Sequence, residues 1–92
     1  MPTITLYSTR TCPYCVQAEN LLARKGLSVS KILVDSDQAE FANMVERSGR
    51  RSVPQIFIGE RHVGGFTDLL ALDLSGELSQ WLANAAPAQT TP

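Results

Sequence analysis

The segment STRTCPYCVQAEN, residues 8–20, contains the two cysteines of the 92-residue chain, Cys12 and Cys15. The preceding segment, TITLYS at residues 3–8, is rich in β-branched residues and predicts a strand. Over residues 13–25 apolar side chains recur at helical spacing, and the proline that opens this stretch suits a first helical turn. We therefore expect the cysteine pair at a junction where a strand leads into a helix.

The rest of the chain continues this alternation of strands and helices. A helix between two consecutive strands implies a right-handed βαβ unit with parallel strands. We expect one α/β domain over residues 1–85 and a disordered tail over residues 86–92, where no periodicity is present. The predicted order is β-α-β-α-β-β-α-α, with strands at 3–8, 29–34, 55–59 and 61–65 and helices at 13–25, 38–48, 67–74 and 77–84.

Composition excludes several classes of function. A chain of this size with 43% hydrophobic residues fits a single small core. Its net charge of −1 gives no strong attraction to nucleic acid or to an anionic membrane. No apolar run approaches the ~20 residues of a membrane span, and the N-terminus lacks the pattern of a signal peptide. We expect a cytoplasmic monomer.

Three interpretations of the Cys-x-x-Cys pair remain open at this point. A zinc site needs about four ligands, yet no second cysteine pair is present and His62 is the single histidine. The two thiols could also be ordinary helix residues. The third interpretation is a redox pair, because a Cys-x-x-Cys beside a βαβ pattern is the usual setting of a redox motif.

The spacing of the pair suits redox chemistry. Cys12 falls just before the helix, where unpaired N–H groups and the positive end of the helix dipole stabilise a thiolate. Cys15 lies one turn further along and faces the core. We therefore predict that Cys12 is the nucleophile and that Cys15 is the resolving thiol.

CPYC after a strand, SVPQIFIGERHVGG at residues 52–65 and GGFTDL at residues 64–69 together resemble a dithiol glutaredoxin. SGRRSVPQIFI and ALD are similar to its short bacterial form, and the resemblance covers residues 3–84. It implies a thioredoxin fold, a four-stranded mixed sheet in the order 2-1-3-4 flanked by helices. It also implies glutathione as the reducing co-substrate, with no bound cofactor or metal, and disulfide-bonded or glutathionylated proteins as partners.

The resemblance further implies which residues bind glutathione. Pro54 is expected in the cis form beside Cys12, so that the Val53 backbone can pair with an extended substrate. Taken alone, GGFTD is more consistent with a strand end and a helix cap, and RSGRR with a solvated helix end; the resemblance changes both interpretations. The expected glutathione site comprises Arg10, Tyr14, Arg51, Val53, Pro54, Gly65, Phe66, Thr67 and Asp68.

Each part of this site has an expected partner on glutathione. The N–H groups of Phe66 and Thr67 at a helix start suit the γ-glutamyl carboxylate, and Asp68 suits the neighbouring α-ammonium. Arg51 resembles the family's basic residue near the glycine carboxylate, and Tyr14 is expected to pack over the bound sulfur.

Two positions depart from the family pattern. Thr9 stands where relatives often carry a lysine, and we expect Arg10 to supply the cation instead. Phe66 stands where many relatives have a small residue or a cysteine, which changes the rim of the expected site.

Two rival functions share most of these features. One is a redoxin reduced directly by thioredoxin reductase, which the GGFTD segment and Arg51 disfavour. The other is an iron–sulfur cluster carrier, which relatives achieve mostly with other residues in or between the cysteine positions; we expect Pro13 and Tyr14 to stiffen the turn against it.

Overall fold

A computed structural model describes the backbone of residues 3–90 and the side-chain surroundings through residue 83. Four strands and four helices follow one another in the predicted order. The elements are β1 (Ile4–Ser8), α1 (Pro13–Arg24), β2 (Val29–Leu33), α2 (Gln38–Ser48), β3 (Gln55–Ile58), β4 (Arg61–Gly64), α3 (Phe66–Leu74) and α4 (Glu77–Thr90).

The four strands form one mixed sheet in the order β2-β1-β3-β4. β1 runs parallel to β2, with Ile4 opposite Val29, and antiparallel to β3, with Ile4 opposite Ile58. β3 and β4 form an antiparallel hairpin, with an irregularity in register between Ile56 and Phe57. The predicted thioredoxin fold, with its 2-1-3-4 sheet, is thus confirmed.

Side chains alternate between the two faces of the sheet along each strand. Both faces carry apolar side chains, and helices cover both. Leu6 and Ile56 face a large core to which α1, α3 and α4 contribute Leu22, Leu69 and Leu78. On the other face a smaller core is built from Tyr7, Val34, Met44 and Phe57, with Phe41, Val45 and Val53 packed against it. Phe41, Met44 and Val45 thus form the face of α2 that packs on the sheet.

Three helix boundaries differ from the prediction, and α1 differs least, because it ends at Arg24 instead of residue 25. α3 begins at Phe66, with Gly65 as its N-cap, one residue earlier than expected. α4 was predicted to end at Asn84, with a disordered tail over residues 86–92, but its backbone is helical through Thr90. Alanine has the highest helix propensity and recurs in this segment. Residues 91 and 92 of the predicted tail lie outside the described residues.

No helix in the described part of the chain is both long and apolar enough to span a membrane.

Candidate redox and ligand-binding site

The cysteine pair lies at the start of α1, as predicted. Cys12 is the N-cap residue with an extended backbone, and Pro13 occupies the first turn. The backbone N–H of Cys15 donates to Cys12 Sγ over 3.2 Å. Both thiols are free, and Cys12 is partly exposed. A backbone donor and the start of a helix therefore face the Cys12 sulfur.

Cys15 has a different environment one helical turn away. Its side chain is only 2% exposed and packs in the interior. Burial raises the pKa of Cys15, and the adjacent Cys12 side chain acts in the same direction, against smaller lowering effects of Ser8 and Thr9. Cys15 is therefore a protonated thiol at neutral pH.

The loop before β3 comes close to this sulfur. The Val53–Pro54 peptide bond is cis, as expected from the SVP segment. The carbonyl oxygen of Val53 lies 4.0 Å from Cys12 Sγ. A Cβ atom placed on Gly65 would lie 3.5 Å from the Pro54 carbonyl oxygen, so the start of α3 packs closely against the same loop.

A cavity of about 300 Å³ opens between these segments. This volume is at the lower end of the range for small-molecule sites. Tyr14, 60% exposed, and Phe66 form its aromatic rim, with ring centroids 6.3 Å apart. The cavity is lined by Tyr14, Arg50, Ser52, Val53, Pro54, Gln55, Gly65, Phe66, Thr67 and Asp68. Seven of these were predicted site residues: Tyr14, Val53, Pro54, Gly65, Phe66, Thr67 and Asp68.

The cavity wall carries two opposite charges. Asp68 Oδ2 accepts a hydrogen bond from the Gly65 N–H over 3.0 Å and lies 3.3 Å from Arg50 Nη1. The Gly65 hydrogen bond, followed by the Arg50 contact, lowers the pKa of Asp68. Asp68 is therefore ionised at neutral pH. A ligand with an ammonium group and a carboxylate would find a partner for each charge here.

The two other predicted basic residues do not line the cavity. The guanidinium of Arg51 lies over the Phe41 ring at 5.1 Å, while Arg50 takes the position in the cavity wall that was expected of Arg51. The backbone N–H of Arg10 donates to Asp35 Oδ2 over 3.2 Å, in the turn that precedes α1. Neighbouring residues in a loop point in different directions, and the sequence did not determine which arginine faces inward.

Sequence reasoning missed Arg50, Ser52 and Gln55 as lining residues. Arg50 was visible in RSGRR but was assigned only to the helix end. Gln55 is a polar residue that opens an otherwise apolar strand and is 1% exposed. A buried glutamine must find hydrogen-bond partners, so its place in QIFI was a usable signal.

Within the described part of the chain, no group of three or more histidine, cysteine or acidic side chains could hold a metal ion. Among those residues, Cys12 and Cys15 therefore lack the further ligands that a zinc site would need.

Comparison with known proteins shows which family the chain resembles. The glutaredoxin family model matches residues 4–63. A glutaredoxin from Neisseria meningitidis is 52% identical over 79 residues, covering 85% of this chain and 93% of the relative. Glutaredoxin 3 of Escherichia coli K12 is 45% identical over 82 residues, covering 89% and 99%.

Solved structures agree with the sequence relatives. The crystal structure of a buckwheat glutaredoxin–glutathione complex matches with a TM-score of 0.82 at 26% identity, covering 91% of this chain and 79% of that one. The solution structure of a glutaredoxin from Brucella melitensis matches with a TM-score of 0.78 at 46% identity, covering 89% of each chain. With its helix-capping Cys12, buried Cys15 and thioredoxin fold, this chain belongs to the glutaredoxin family of thiol–disulfide oxidoreductases.

Proposed function

We propose that the protein reduces glutathione mixed disulfides and protein disulfides, with glutathione as the electron donor. The observation that carries this proposal is the position of the charged cavity beside the nucleophile. Val53 lines the cavity, and its carbonyl oxygen lies 4.0 Å from Cys12 Sγ. A ligand held there would present a sulfur to Cys12.

The charges of the cavity suit glutathione. Its γ-glutamyl end carries an α-ammonium and a carboxylate on the same carbon. Asp68 supplies the acceptor for the ammonium, while Arg50 and the N–H groups of Phe66 and Thr67 at the start of α3 supply partners for carboxylates. The buckwheat relative, of the same fold, was crystallised as a glutathione complex.

With a glutathionylated protein, the Cys12 thiolate attacks the glutathione sulfur. The original S–S bond breaks, the protein substrate leaves as a thiolate and takes up a proton, and glutathione remains on Cys12 as a mixed disulfide. The thiolate of a second glutathione then attacks the bound glutathione sulfur. This step releases the Cys12 thiolate and forms glutathione disulfide, so one reduced glutathione is consumed and the glutathionyl group of the substrate becomes the other half of the product.

With a protein disulfide, the intermediate is a bulky protein joined to Cys12. Cys15 lies one helical turn away, and its N–H already contacts Cys12 Sγ. Cys15 loses its proton, attacks Cys12 Sγ and releases the second substrate thiol, which leaves a Cys12–Cys15 disulfide. Two glutathione molecules then reduce that disulfide.

The roles of the cysteines are tested with two variants and two substrates in an assay coupled to glutathione reductase. Cys15→Ser should retain deglutathionylation and lose most reduction of protein disulfides, because only the second route needs an internal resolving thiol. Cys12→Ser should lose both activities. Deglutathionylation by Cys12→Ser, or its loss in Cys15→Ser, would contradict the assigned roles.

The electron donor is tested separately by replacing glutathione and its reductase with thioredoxin reductase. We expect turnover only with glutathione. Efficient turnover with thioredoxin reductase and none with glutathione would support the rival redoxin function instead.

A further inference from the structure

A chain of hydrogen-bonded side chains lies directly under the loop that carries Val53. Gln55 Nε2 donates to the Ser52 carbonyl oxygen over 3.0 Å and to Ser52 Oγ over 3.3 Å. On its other side, Gln55 Oε1 lies 2.7 Å from His62 Nε2 in β4. All polar atoms of the buried Gln55 amide thus have partners, and the chain connects β4 to the cavity wall.

The direction of these hydrogen bonds follows from the chemistry of their ends. The Ser52 carbonyl oxygen can only accept, so the Gln55 amide must turn its nitrogen toward Ser52. Its oxygen therefore faces His62, and this oxygen can also only accept. His62 must carry a proton on Nε2, which assigns the Nε2–H tautomer to the neutral ring.

His62 is fixed in this position from several sides. Its ring packs on Phe57 with the centroids 4.9 Å apart. Burial lowers the pKa of His62, and the positive charges of Arg50 and Arg47 add to this effect, while Asp68 opposes it. The ring is therefore neutral near pH 7, and its single N–H is directed at Gln55.

We propose that Gln55 and His62 are positioning residues that hold the Ser52–Val53 backbone where Cys12 needs it. His62 does not line the cavity and acts through Gln55. The Val53 carbonyl, one residue from the Ser52 anchor, lies 4.0 Å from Cys12 Sγ. Because the Val53 backbone is the proposed partner of an extended substrate, loosening this loop should weaken substrate binding. This inference rests on the proposed function.

The kinetic test compares two substitutions of His62. His62→Phe keeps an aromatic ring against Phe57 but removes the donor, which leaves Gln55 Oε1 without its partner. We expect the KM for a glutathionylated peptide to rise about tenfold, the scale of one lost buried hydrogen bond, with kcat within about twofold. His62→Gln restores a side-chain N–H and should recover most of the loss. Arg61→Ala is the control, since Arg61 lies next to His62 in β4 but stacks on Trp81 at 3.7 Å.

A KM unchanged in His62→Phe, or raised equally in His62→Phe and His62→Gln, would overturn the positioning role. A second measurement needs no variant: nitrogen-15 NMR of the wild-type imidazole should show the Nε2–H tautomer, and an Nδ1–H tautomer would overturn the proposal. Either failure is distinct from failure of the proposed function, which would appear as activity that survives Cys12→Ser.

Discussion

At the scale of single residues, the two cysteines differ in their exposure and in their hydrogen bonds. Cys12 ends a loop, is partly exposed and receives a backbone N–H on its sulfur. Cys15 is buried, and burial raises the pKa of Cys15. The same type of side chain is therefore accessible at one position and shielded three residues later.

Asp68 is the residue on which the charge of the cavity depends. Its carboxylate accepts from the Gly65 N–H at the start of α3 and pairs with Arg50 from the opposite loop. About half of the side chain is exposed, at 49%, so the ion pair itself contributes little to stability. The ionised carboxylate of Asp68 is exposed enough to contact a ligand in the cavity.

Asp68→Asn should weaken glutathione use while preserving the fold. Asparagine keeps an oxygen for the Gly65 N–H but loses the negative charge that suits an α-ammonium. The expected loss is about 1–3 kcal/mol, the scale for a hydrogen bond to a charged group, observed as a higher KM for glutathione in steady-state kinetics. Asp73→Asn is the control, because Asp73 lies in the same helix but pairs with Lys25 at 2.6 Å. Equal KM values for wild type and Asp68→Asn would mean that the GGFTD segment caps α3 and does not bind glutathione.

At the scale of elements, the end of α2 determines where Arg50 lies. Gly49 adopts a left-handed conformation with φ 74°, and its N–H donates to the Val45 carbonyl over 2.8 Å. Ser48 Oγ accepts from the Arg50 N–H over 3.0 Å. The chain therefore leaves the helix in one defined direction, which brings Arg50 to the cavity and Arg51 to Phe41.

Gly49→Ala should destabilise the protein by about 1–2 kcal/mol, the cost of a left-handed conformation for a residue with a Cβ. A Cβ at this position meets nothing within 4 Å, so the cost comes from the backbone alone. Urea unfolding measures the change. Gly49→Asn should cost less, because asparagine adopts this conformation more readily. An alanine variant as stable as wild type would mean that the helix end relaxes.

The bounds of the elements were largely predictable because their signals are local. Asp37 caps α2 by accepting from the Glu40 N–H over 3.2 Å, and Gly49 follows its last residue, which agrees with the predicted range 38–48. The extension of α4 to Thr90 was missed, because the lack of an apolar stripe was given more weight than alanine propensity. The choice between Arg50 and Arg51 also could not be predicted, since it depends on the geometry of the loop in three dimensions.

At the scale of the whole molecule, the site joins segments that are far apart in the chain. The contact between Cys12 and Val53 spans 41 residues. The sheet makes it possible, because β1 and β3 are neighbours and the segments next to them reach the same end. The family resemblance predicted most of this assembly. The Gln55–His62 contact escaped prediction because it depends on the pairing of β3 with β4 and on a buried amide.

The acid sensitivity of the folded state should report on His62 and Asp68 in separate pH ranges. The folded pKa of His62 lies below the ordinary value of 6.5, so the unfolded chain takes up this proton first as the pH falls. Its contribution to stability is complete above pH 6.5 and decreases as the pH falls toward the folded pKa. The pKa of Asp68 is also lowered, from 3.8, so its contribution is lost only at more acidic pH.

The measurement is the free energy of unfolding in urea between pH 7.5 and pH 3 for wild type, His62→Gln and Asp68→Asn. Relative to wild type, His62→Gln should lose less stability as the pH falls below about 6.5, because it has no imidazole to protonate on unfolding. Asp68→Asn should lose somewhat more stability than wild type through that range, because the charge that opposes the lowering of the His62 pKa is gone, and it should lack the Asp68 contribution below about pH 4. Arg47, Arg50 and Asp68 face His62 from α2, the following loop and α3. Asp68 stays ionised until well below pH 6.5, so the change in stability in the first range comes from His62.

Parallel curves for wild type and His62→Gln between pH 7.5 and pH 5 would contradict this prediction. They would mean that the His62 ring is protonated as easily in the folded protein as in the unfolded chain, and that the surrounding cations do not act on it.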